Sequence, residues 1–260
     1  MTETLPPLFA LVAAGAFGAL IGSFLNVCIH RVPLGASIVW PASACPHCKR
    51  ELSWYENIPV LSFLALGARC RTCKSPISIR YPFVEALTSL MFVLAWWAYG
   101  PSLLLASRIV FGCVLIVLFA IDLEHQLLPH VITFSGIAAG LIFSFFTEPG
   151  WVNSLLGIAL GAGILYGVAF AWEWLRHQQA LGGGDPPMLA MIGAFLGWKM
   201  VLATLMMGSL FGSVLGVGLI AARRASMASK LPFGCFLAVG AALSATVGSQ
   251  LLGWYLGLFH

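Results

Sequence analysis

The sequence predicts an all-α polytopic membrane protein with about eight transmembrane helices and a cytoplasmic loop domain after the first helix. Composition is the first reason, since 60% of the 260 residues are hydrophobic and only 8% are charged, against roughly 25% charged in a soluble domain. The second reason is that several apolar stretches approach the ~20 residues that a helix needs to cross a bilayer. A soluble globular class is therefore excluded. The net charge of +4 is small, and we expect membrane lipid, but no nucleic acid, among the partners.

The apolar stretches define the expected order of the chain. Residues 1–29 form a first transmembrane helix, residues 30–81 a cytoplasmic domain and residues 82–260 a seven-helix transmembrane core. Within the core we expect spans over residues 82–99, 103–121, 131–146, 151–175 and 187–198, a seventh that ends at residue 222 and an eighth at the C-terminal end. The first span contains Gly18 and Gly22, a GxxxG spacing that lets a second helix approach closely but is weakly specific in so glycine-rich a chain.

The distribution of basic residues predicts the orientation in the membrane. Residues 30–80 contain seven Lys and Arg residues but only two acidic ones, Glu51 and Glu56. A basic loop this close to membrane spans belongs on the cytoplasmic side, which leaves the N-terminus outside. With this orientation every Lys and Arg except Arg108 and Lys199 falls in a predicted cytoplasmic segment.

Four cysteines in the predicted cytoplasmic domain have the spacing of a zinc site. Cys45 and Cys48 form one C-x2-C pair, and Cys70 and Cys73 form a second pair ~20 residues later, as in a pair of zinc knuckles. We expect all four to bind zinc in a structural site, because four thiolates leave no open position for water. A redox pair or unpaired thiols is the alternative, although a cytoplasmic location disfavours disulfides. The other three cysteines lie at or in apolar stretches and are expected to pack as small hydrophobic residues.

The only two aspartates of the chain lie at the ends of apolar stretches. Asp122 closes the third predicted span, and Asp185 follows three glycines at the edge of the sixth. Ionisable groups at membrane depth are costly and are functional candidates by default. A structural role is the alternative: Asp185 would cap a helix before Pro186, or either aspartate would pair with Arg108 or Arg176.

The functional interpretation treats the two aspartates as one site. Two carboxylates within hydrogen-bond distance cannot both ionise cheaply and therefore share a proton. The charged partner can take a proton from water while the neutral partner protonates a carbonyl oxygen, which hydrolyses a peptide without a covalent intermediate. The glycines at 182–184 would let the backbone approach a bound strand closely. We therefore expect Asp122 and Asp185 to form a catalytic pair.

In their order along the chain these features resemble the bacterial type IV prepilin peptidases, membrane aspartic endopeptidases of the GxGD class. The resemblance covers nearly the whole chain. The segments that carry it are 22–27 with Arg31 and Pro33, the four-cysteine segment with 57–59, 76–78 and 80–85, Asp122 with 128–129, 182–185, and 232–234.

The resemblance implies an activity, a location and cofactors. Such enzymes cut the short basic leader from type IV prepilins or secretion pseudopilins, after a glycine, at the cytoplasmic face of the bacterial inner membrane. Residues 82–260 would then be the peptidase core, with Asp122 and Asp185 as the catalytic pair. Many of these enzymes also N-methylate the new N-terminal residue with S-adenosylmethionine, for which the sequence shows no recognisable binding motif.

Two positions depart from the pattern of that family. Pro187 stands where a lysine usually follows the second aspartate, and His130 stands where an acidic residue often follows the Leu-Pro pair. The absent lysine removes a positive charge near Asp185. The absent acid leaves no third aspartate to compete for the catalytic role.

Two other functions remain open on the sequence alone. A membrane transporter or channel would use the aspartates as a proton relay, but this does not explain the four cysteines, and no inverted repeat of the kind that transporters often show is evident. A catalytically inactive pilus-assembly scaffold is suggested by Pro187. Separate Asp122→Asn and Asp185→Asn substitutions distinguish the enzyme from both alternatives.

Overall fold

The computed structural model describes residues 7–177, 182–222 and 231–257. Within these ranges the chain is helical, with loops and short 3-10 turns between the helices and no β-strand. The α-helices are α1 (Leu8–Arg31), α2 (Leu61–Ala65), α3 (Arg80–Tyr99), α4 (Leu103–His125), α5 (His130–Ser144), α6 (Trp151–Arg176), α7 (Asp185–Leu196), α8 (Trp198–Ala221) and α9 (Phe233–Gly257). The predicted all-α class is confirmed.

Among the described residues, five helices are long and apolar enough to cross a membrane, namely α1, α3, α4, α6 and α8. Apart from the short α2, each helix lies on one predicted apolar stretch to within a few residues. The chain is therefore a multi-pass membrane protein. The number of spans stays a prediction, because α5 has 15 residues and α7 has 12. At 1.5 Å per residue both are shorter than the ~30 Å hydrocarbon core.

The chain divides into two compact units, Met1–Val117 and Leu118–His260. The boundary falls inside α4, and the last residues of α4, with Asp122, belong to the second unit. In the first unit, α1 packs along α3 through glycines. A side chain at Gly18 would come within 2.8 Å of Phe92, and one at Gly22 within 2.7 Å of the Cα atom of Glu85. The weakly specific GxxxG spacing is thus a helix–helix contact, as small residues permit in membranes.

The four-cysteine segment connects α1 to α3 within the first unit. Its regular structure consists of the 3-10 turns Val32–Leu34 and Trp54–Asn57, the five-residue α2, and two isolated antiparallel bridges, Ala44 with Glu51 and Arg69 with Pro76. Each bridge closes a turn that carries one C-x2-C pair. Backbone hydrogen bonds of two tight turns therefore position the four thiols.

In the second unit α7 is the central helix, and all of its residues are buried. It packs mainly against α6 and α5 and also contacts α8 and α9. Gly157 and Gly193 meet where α6 and α7 cross, and a side chain at Gly161 would come within 2.6 Å of the Leu189 carbonyl oxygen. Because α7 is held on all sides, its first residue, Asp185, has a fixed position.

The start of α9 lies beside the end of α4 in the same unit. The Cys235 thiol donates to the Phe119 carbonyl oxygen at 3.3 Å. Cys235 is 5% exposed, so its side chain packs as a small buried group, as the sequence predicts for it. This contact sets the first turn of α9 against the turn of α4 that carries Asp122.

Candidate active site and metal centre

Asp122 lies in the last turn of α4 and is only 4% exposed. Its Oδ2 atom accepts the N–H of Cys235 at 2.9 Å, and a side chain at Gly234 would come within 2.8 Å of the same oxygen. The first turn of α9 therefore presents backbone to the carboxylate. N–H groups at a helix N-terminus lack intrahelical partners and carry partial positive charge, which favours a bound anion.

Asp185 is the first residue of α7 and is 6% exposed. The N-cap of α7 is Gly184, and no side chain caps the helix, so the interpretation of Asp185 as an N-cap is wrong. A side chain at Gly182 would instead come within 3.1 Å of Oδ2 of Asp185, so the backbone at residue 182 lies close to the carboxylate. A side chain at Gly184 would come within 2.5 Å of Leu128, so glycine at this position lets the loop pack directly on the segment between α4 and α5.

Both carboxylates line one cavity of about 250 Å³ in the second unit. They are near enough for the charge of Asp122 to act on Asp185. The rest of the lining comes from residues 126–130 and glycines 182–184. Two carboxylates in this relation hold one charge and one proton more readily than two charges. The structure thus brings together the two aspartates that the sequence pairs, while their catalytic role stays a prediction.

Gly234 and Cys235 contact Asp122 through backbone atoms, and side-chain chemistry does not identify either as a site residue. Cys235 is recognisable in the sequence only as a small buried residue. The one available signal is the Pro232-Phe233-Gly234 motif of the resemblance, which marks the segment without giving it a role. A glycine followed by a backbone donor at a helix start becomes informative only once the fold places it against a carboxylate.

The four cysteines of the first unit form a compact sulfur cluster. All four Sγ atoms lie within 4.8 Å of one another, and those of Cys45 and Cys73 are 3.7 Å apart. Tetrahedral zinc with Zn–S distances of about 2.3 Å places its sulfur ligands about 3.8 Å apart. The donor set therefore fits zinc. Cys45, Cys48, Cys70 and Cys73 would hold it and would leave no ligand position for water.

The two C-x2-C turns share one backbone geometry. In each, the N–H of the first cysteine, Cys45 or Cys70, donates to the carbonyl oxygen five residues later, and a lysine four residues on donates back to that cysteine, at 2.8–3.0 Å. Both lysines, Lys49 and Lys74, have a φ of 59°, a left-handed conformation that is uncommon for residues with a side chain. The repeated geometry indicates two halves of one metal site.

An ion pair supports the first of these turns. Nη2 of Arg50 lies 2.7 Å from Oε1 of Glu56, and the other carboxylate oxygen accepts the Ser53 N–H at 2.8 Å. The Arg50 guanidinium, with the Ser53 N–H, lowers the pKa of Glu56 to about 2. Glu56 is therefore a charged group at neutral pH although it is only 8% exposed.

The fold and the site together define a helical multi-pass membrane protein with a four-cysteine centre suited to zinc and two buried carboxylates on one cavity. Residues 16–99 match the bacterial peptidase A24 N-terminal domain, and residues 109–217 match the type IV leader peptidase family. The chain belongs to the type IV leader peptidase family. The resemblance given by the motifs is confirmed.

Relatives similar to the chain are named prepilin leader peptidase/N-methyltransferase. The Myxococcus xanthus relative is 43% identical over 212 residues, which are 81% of this chain and 63% of that relative. The Aeromonas hydrophila relative is 34% identical over 270 residues, which are 94% of this chain and 92% of that relative. The Pseudomonas aeruginosa relative is 33% identical over 274 residues, 96% of this chain and 94% of that relative. No solved structure matches the chain.

Proposed function

We propose that the chain is an aspartic endopeptidase that cleaves the leader from type IV prepilins or pseudopilins and N-methylates the new N-terminus with S-adenosylmethionine. Membership of the family supports this, since relatives that cover almost the whole chain are named for both activities. The observation that carries the peptidase activity is that Asp122 and Asp185 line one cavity. Cleavage takes place after a glycine, at the cytoplasmic face of the bacterial inner membrane, where the basic segments of the chain are expected to lie.

In the proposed reaction the aspartate pair carries one proton and one negative charge. The charge rests on Asp122, because the Cys235 N–H donates to it at 2.9 Å and the N-terminus of α9 stabilises an anion. Asp122 takes a proton from a water molecule as the water oxygen attacks the scissile carbonyl carbon. Asp185 donates its proton to the carbonyl oxygen.

The second half of the reaction restores the pair. Asp185 takes back a proton from one hydroxyl of the tetrahedral intermediate as the carbonyl re-forms, and Asp122 gives its proton to the leaving nitrogen as the C–N bond breaks. Glycines 182–184 line the same cavity and leave room for an extended substrate backbone beside Asp185. The neutral Pro187 takes no part in these proton transfers.

The proposed role of zinc is structural. Residues 30–81 are then a cytoplasmic zinc-binding domain, which the four thiolates close around the ion without a water ligand. Metal binding contributes directly to the folding of so small a domain. Residues 82–260 form the peptidase core, and chemistry at the aspartates does not use the zinc ion.

Separate Asp122→Asn and Asp185→Asn substitutions test the catalytic pair. Each keeps the shape of the side chain but removes its ability to carry the shared charge or proton. We expect either change to lower leader cleavage by about 10³-fold or more. Cleavage of a prepilin by purified full-length protein in detergent, followed by mass spectrometry, measures this loss.

The matched control is Glu148→Gln, which changes an exposed carboxylate in the loop between α5 and α6 and should leave cleavage unchanged. Thermal unfolding and zinc content show whether the aspartate variants still fold. Continued cleavage by a folded variant that lacks either aspartate contradicts the catalytic pair. The relay function would instead be indicated if the parent protein cleaves no prepilin but transports protons, and if the aspartate variants lose that transport.

A further inference from the structure

One residue in the wall of the aspartate cavity has a strained backbone. Gln126 directly follows α4 and lines the cavity together with Asp122 and Asp185. Its φ is 50°, a left-handed conformation that is unfavourable for a residue with a side chain. Strained residues of this kind cluster at functional sites, so Gln126 is a candidate for a role in this one.

The ends of other helices show which residues take this conformation elsewhere in the chain. Gly100 and Gly197 directly follow α3 and α7, with φ values of 57° and 79°, and His177 follows α6, with a φ of 52°. The N–H of each donates to the carbonyl oxygen four residues earlier, as the Gln126 N–H does to Asp122 at 2.9 Å. Glycine is the usual residue at such a position, and histidine is among the residues enriched in this conformation. Gln126 thus occupies a helix end where glycine would avoid the strain.

Packing does not account for a glutamine at this position. The Gln126 side chain is exposed, so the burial of apolar surface does not compensate for the strain of its backbone. Leu128, two residues later, is buried and packs closely against the loop at Gly184 and against Gly234. The backbone at residue 126 is therefore held by α4 on one side and by Leu128 on the other.

The amide group of Gln126 suits contact with a peptide backbone. Among the described lining residues, Gln126 and His130 provide the polar side chains besides the two aspartates. The His130 ring packs against Phe134, with 5.7 Å between the ring centres. An amide both donates and accepts hydrogen bonds, so that of Gln126 can pair with the N–H and C=O groups of an extended peptide. Because the amide is neutral, it does not alter the charge of the aspartate pair.

We propose that Gln126 is a substrate-binding residue that hydrogen-bonds the backbone of the prepilin beside the scissile bond. The proposal rests on the proposed function, since the substrate is the peptide that the aspartate pair cleaves. The contact is made to main-chain atoms and therefore holds substrates of different sequence alike. The strain at Gln126 is retained because glycine, which would relieve it, has no amide side chain.

Two substitutions separate the amide from the backbone conformation. Gln126→Met keeps the length of the side chain and the strain but removes the hydrogen bonds, whereas Gln126→Gly removes both the amide and the strain. We expect each to raise KM for prepilin cleavage about tenfold with kcat within about threefold, because an interaction made equally in the ground state and the transition state is lost. Only Gln126→Gly should also raise the midpoint of thermal unfolding, by about 2 °C.

His177 provides the matched control. It has the same position after α6, nearly the same φ and an exposed side chain, but it does not line the described aspartate cavity. His177→Gly should raise the unfolding midpoint by a similar amount and leave KM and kcat unchanged. A gain in stability that weakens substrate binding at residue 126, but not at residue 177, is a trade-off that a purely structural role of Gln126 does not produce.

A second measurement does not depend on turnover. Titration of a fluorescently labelled prepilin with full-length Asp185→Asn protein in detergent, with and without Gln126→Met, gives a Kd for the uncleaved substrate. We expect the double variant to bind about tenfold more weakly. Two prepilins with different side chains around the cleavage site should show the same factor, since the contact is to the backbone. A loss confined to one of them indicates a side-chain contact and contradicts the proposal.

Failure of the proposal can be told from failure of the proposed function. If the parent protein cleaves the leader and Gln126→Met keeps the parent KM and Kd, the contact is refuted and the peptidase activity stands. If Gln126→Gly weakens cleavage but Gln126→Met does not, the backbone conformation and not the amide is needed, which also overturns the proposal. A parent protein that cleaves no prepilin refutes the proposed function and, with it, the contact.

Discussion

At the residue scale, no side chain fits at Gly234, where the first turn of α9 meets the Asp122 carboxylate. A methyl group there would meet Asp122 Oδ2 at 2.8 Å and both δ-carbons of Leu128 at 3.0 Å. Because Asp122 and Leu128 are both buried, one of them must move. A shift of about 1 Å in a catalytic group lowers the rate on the order of 10²-fold. We expect Gly234→Ala to lower kcat for leader cleavage by about that factor, with a smaller change in KM.

Steady-state kinetics with one prepilin substrate measure this effect. The matched control is Gly163→Ala on α6, where an added methyl group meets nothing within 4 Å. Thermal unfolding of both variants separates a local displacement from loss of the fold. Cleavage by Gly234→Ala at close to the parent rate would show that the contact does not position Asp122.

The residues that the sequence identifies are those whose side chains are rare in a membrane protein. Asp122 and Asp185 are the only aspartates, and four of the seven cysteines stand in two regular pairs. Side chains of this kind can be recognised in the sequence without knowledge of the fold. Gly234 cannot be recognised in this way, because a missing side chain acquires meaning only from the atoms around it.

At the element scale, the crossing of α6 with α7 depends on glycine. A side chain at Gly161 would approach the Leu189 carbonyl oxygen to 2.6 Å. Gly161 and Leu189 are buried residues of α6 and α7, so the clash can be relieved only if one helix backbone moves away from the other. Overpacking of a closely packed contact typically costs about 1–3 kcal/mol. We expect Gly161→Ala to be destabilised by that amount, while Gly163→Ala, two residues along the same helix, is neutral. Thermal unfolding of the two variants in the same detergent provides the comparison, and equal midpoints would contradict close packing at this crossing.

Hydropathy locates the helices well because each apolar stretch has polar or glycine-rich ends. The bounds differ by a few residues, as at α7, which the sequence places at residues 187–198 and the structure at Asp185–Leu196. The two tight turns and the five-residue α2 of the cysteine segment could not be predicted. Such elements are stabilised by local backbone hydrogen bonds, and on our proposal by zinc, which hydropathy does not report.

At the scale of the whole molecule, helix length decides whether an apolar helix can span the membrane alone, which hydropathy does not settle. A helix of 12 residues, such as α7, extends only about 18 Å and cannot cross the ~30 Å hydrocarbon core alone. All residues of α7 are nevertheless buried, so it lies inside protein and avoids lipid. The helices packed around α7 then determine the position of its N-terminus and of Asp185. An apolar stretch in the sequence therefore predicts a span but not how deep in the membrane the Asp185 carboxylate lies.

The orientation of the chain in the membrane is the remaining whole-molecule prediction. The positive-inside rule places the loop after α1 and the end of α6 in the cytoplasm and the loop between α5 and α6 outside. In a background without Cys28, Cys113 and Cys235, we expect a membrane-impermeant maleimide added to spheroplasts to label Glu148→Cys. It should label Ser37→Cys and His177→Cys only after the membrane is permeabilised. The background protein without an added cysteine corrects for any reaction of the zinc-bound thiols.

The sidedness also bears on the proposed chemistry, because on our proposal the leader of a prepilin is cut on the cytoplasmic side. His177 directly follows α6, and Asp185 begins α7 eight residues later. Labelling of His177→Cys therefore reports the face of the membrane at which the chain leaves α6 on its way to Asp185. Labelling of this position from outside would place the aspartates where no prepilin leader reaches them. In that case the pair could still share a proton, but a proton relay would become the better account of two buried carboxylates on one cavity.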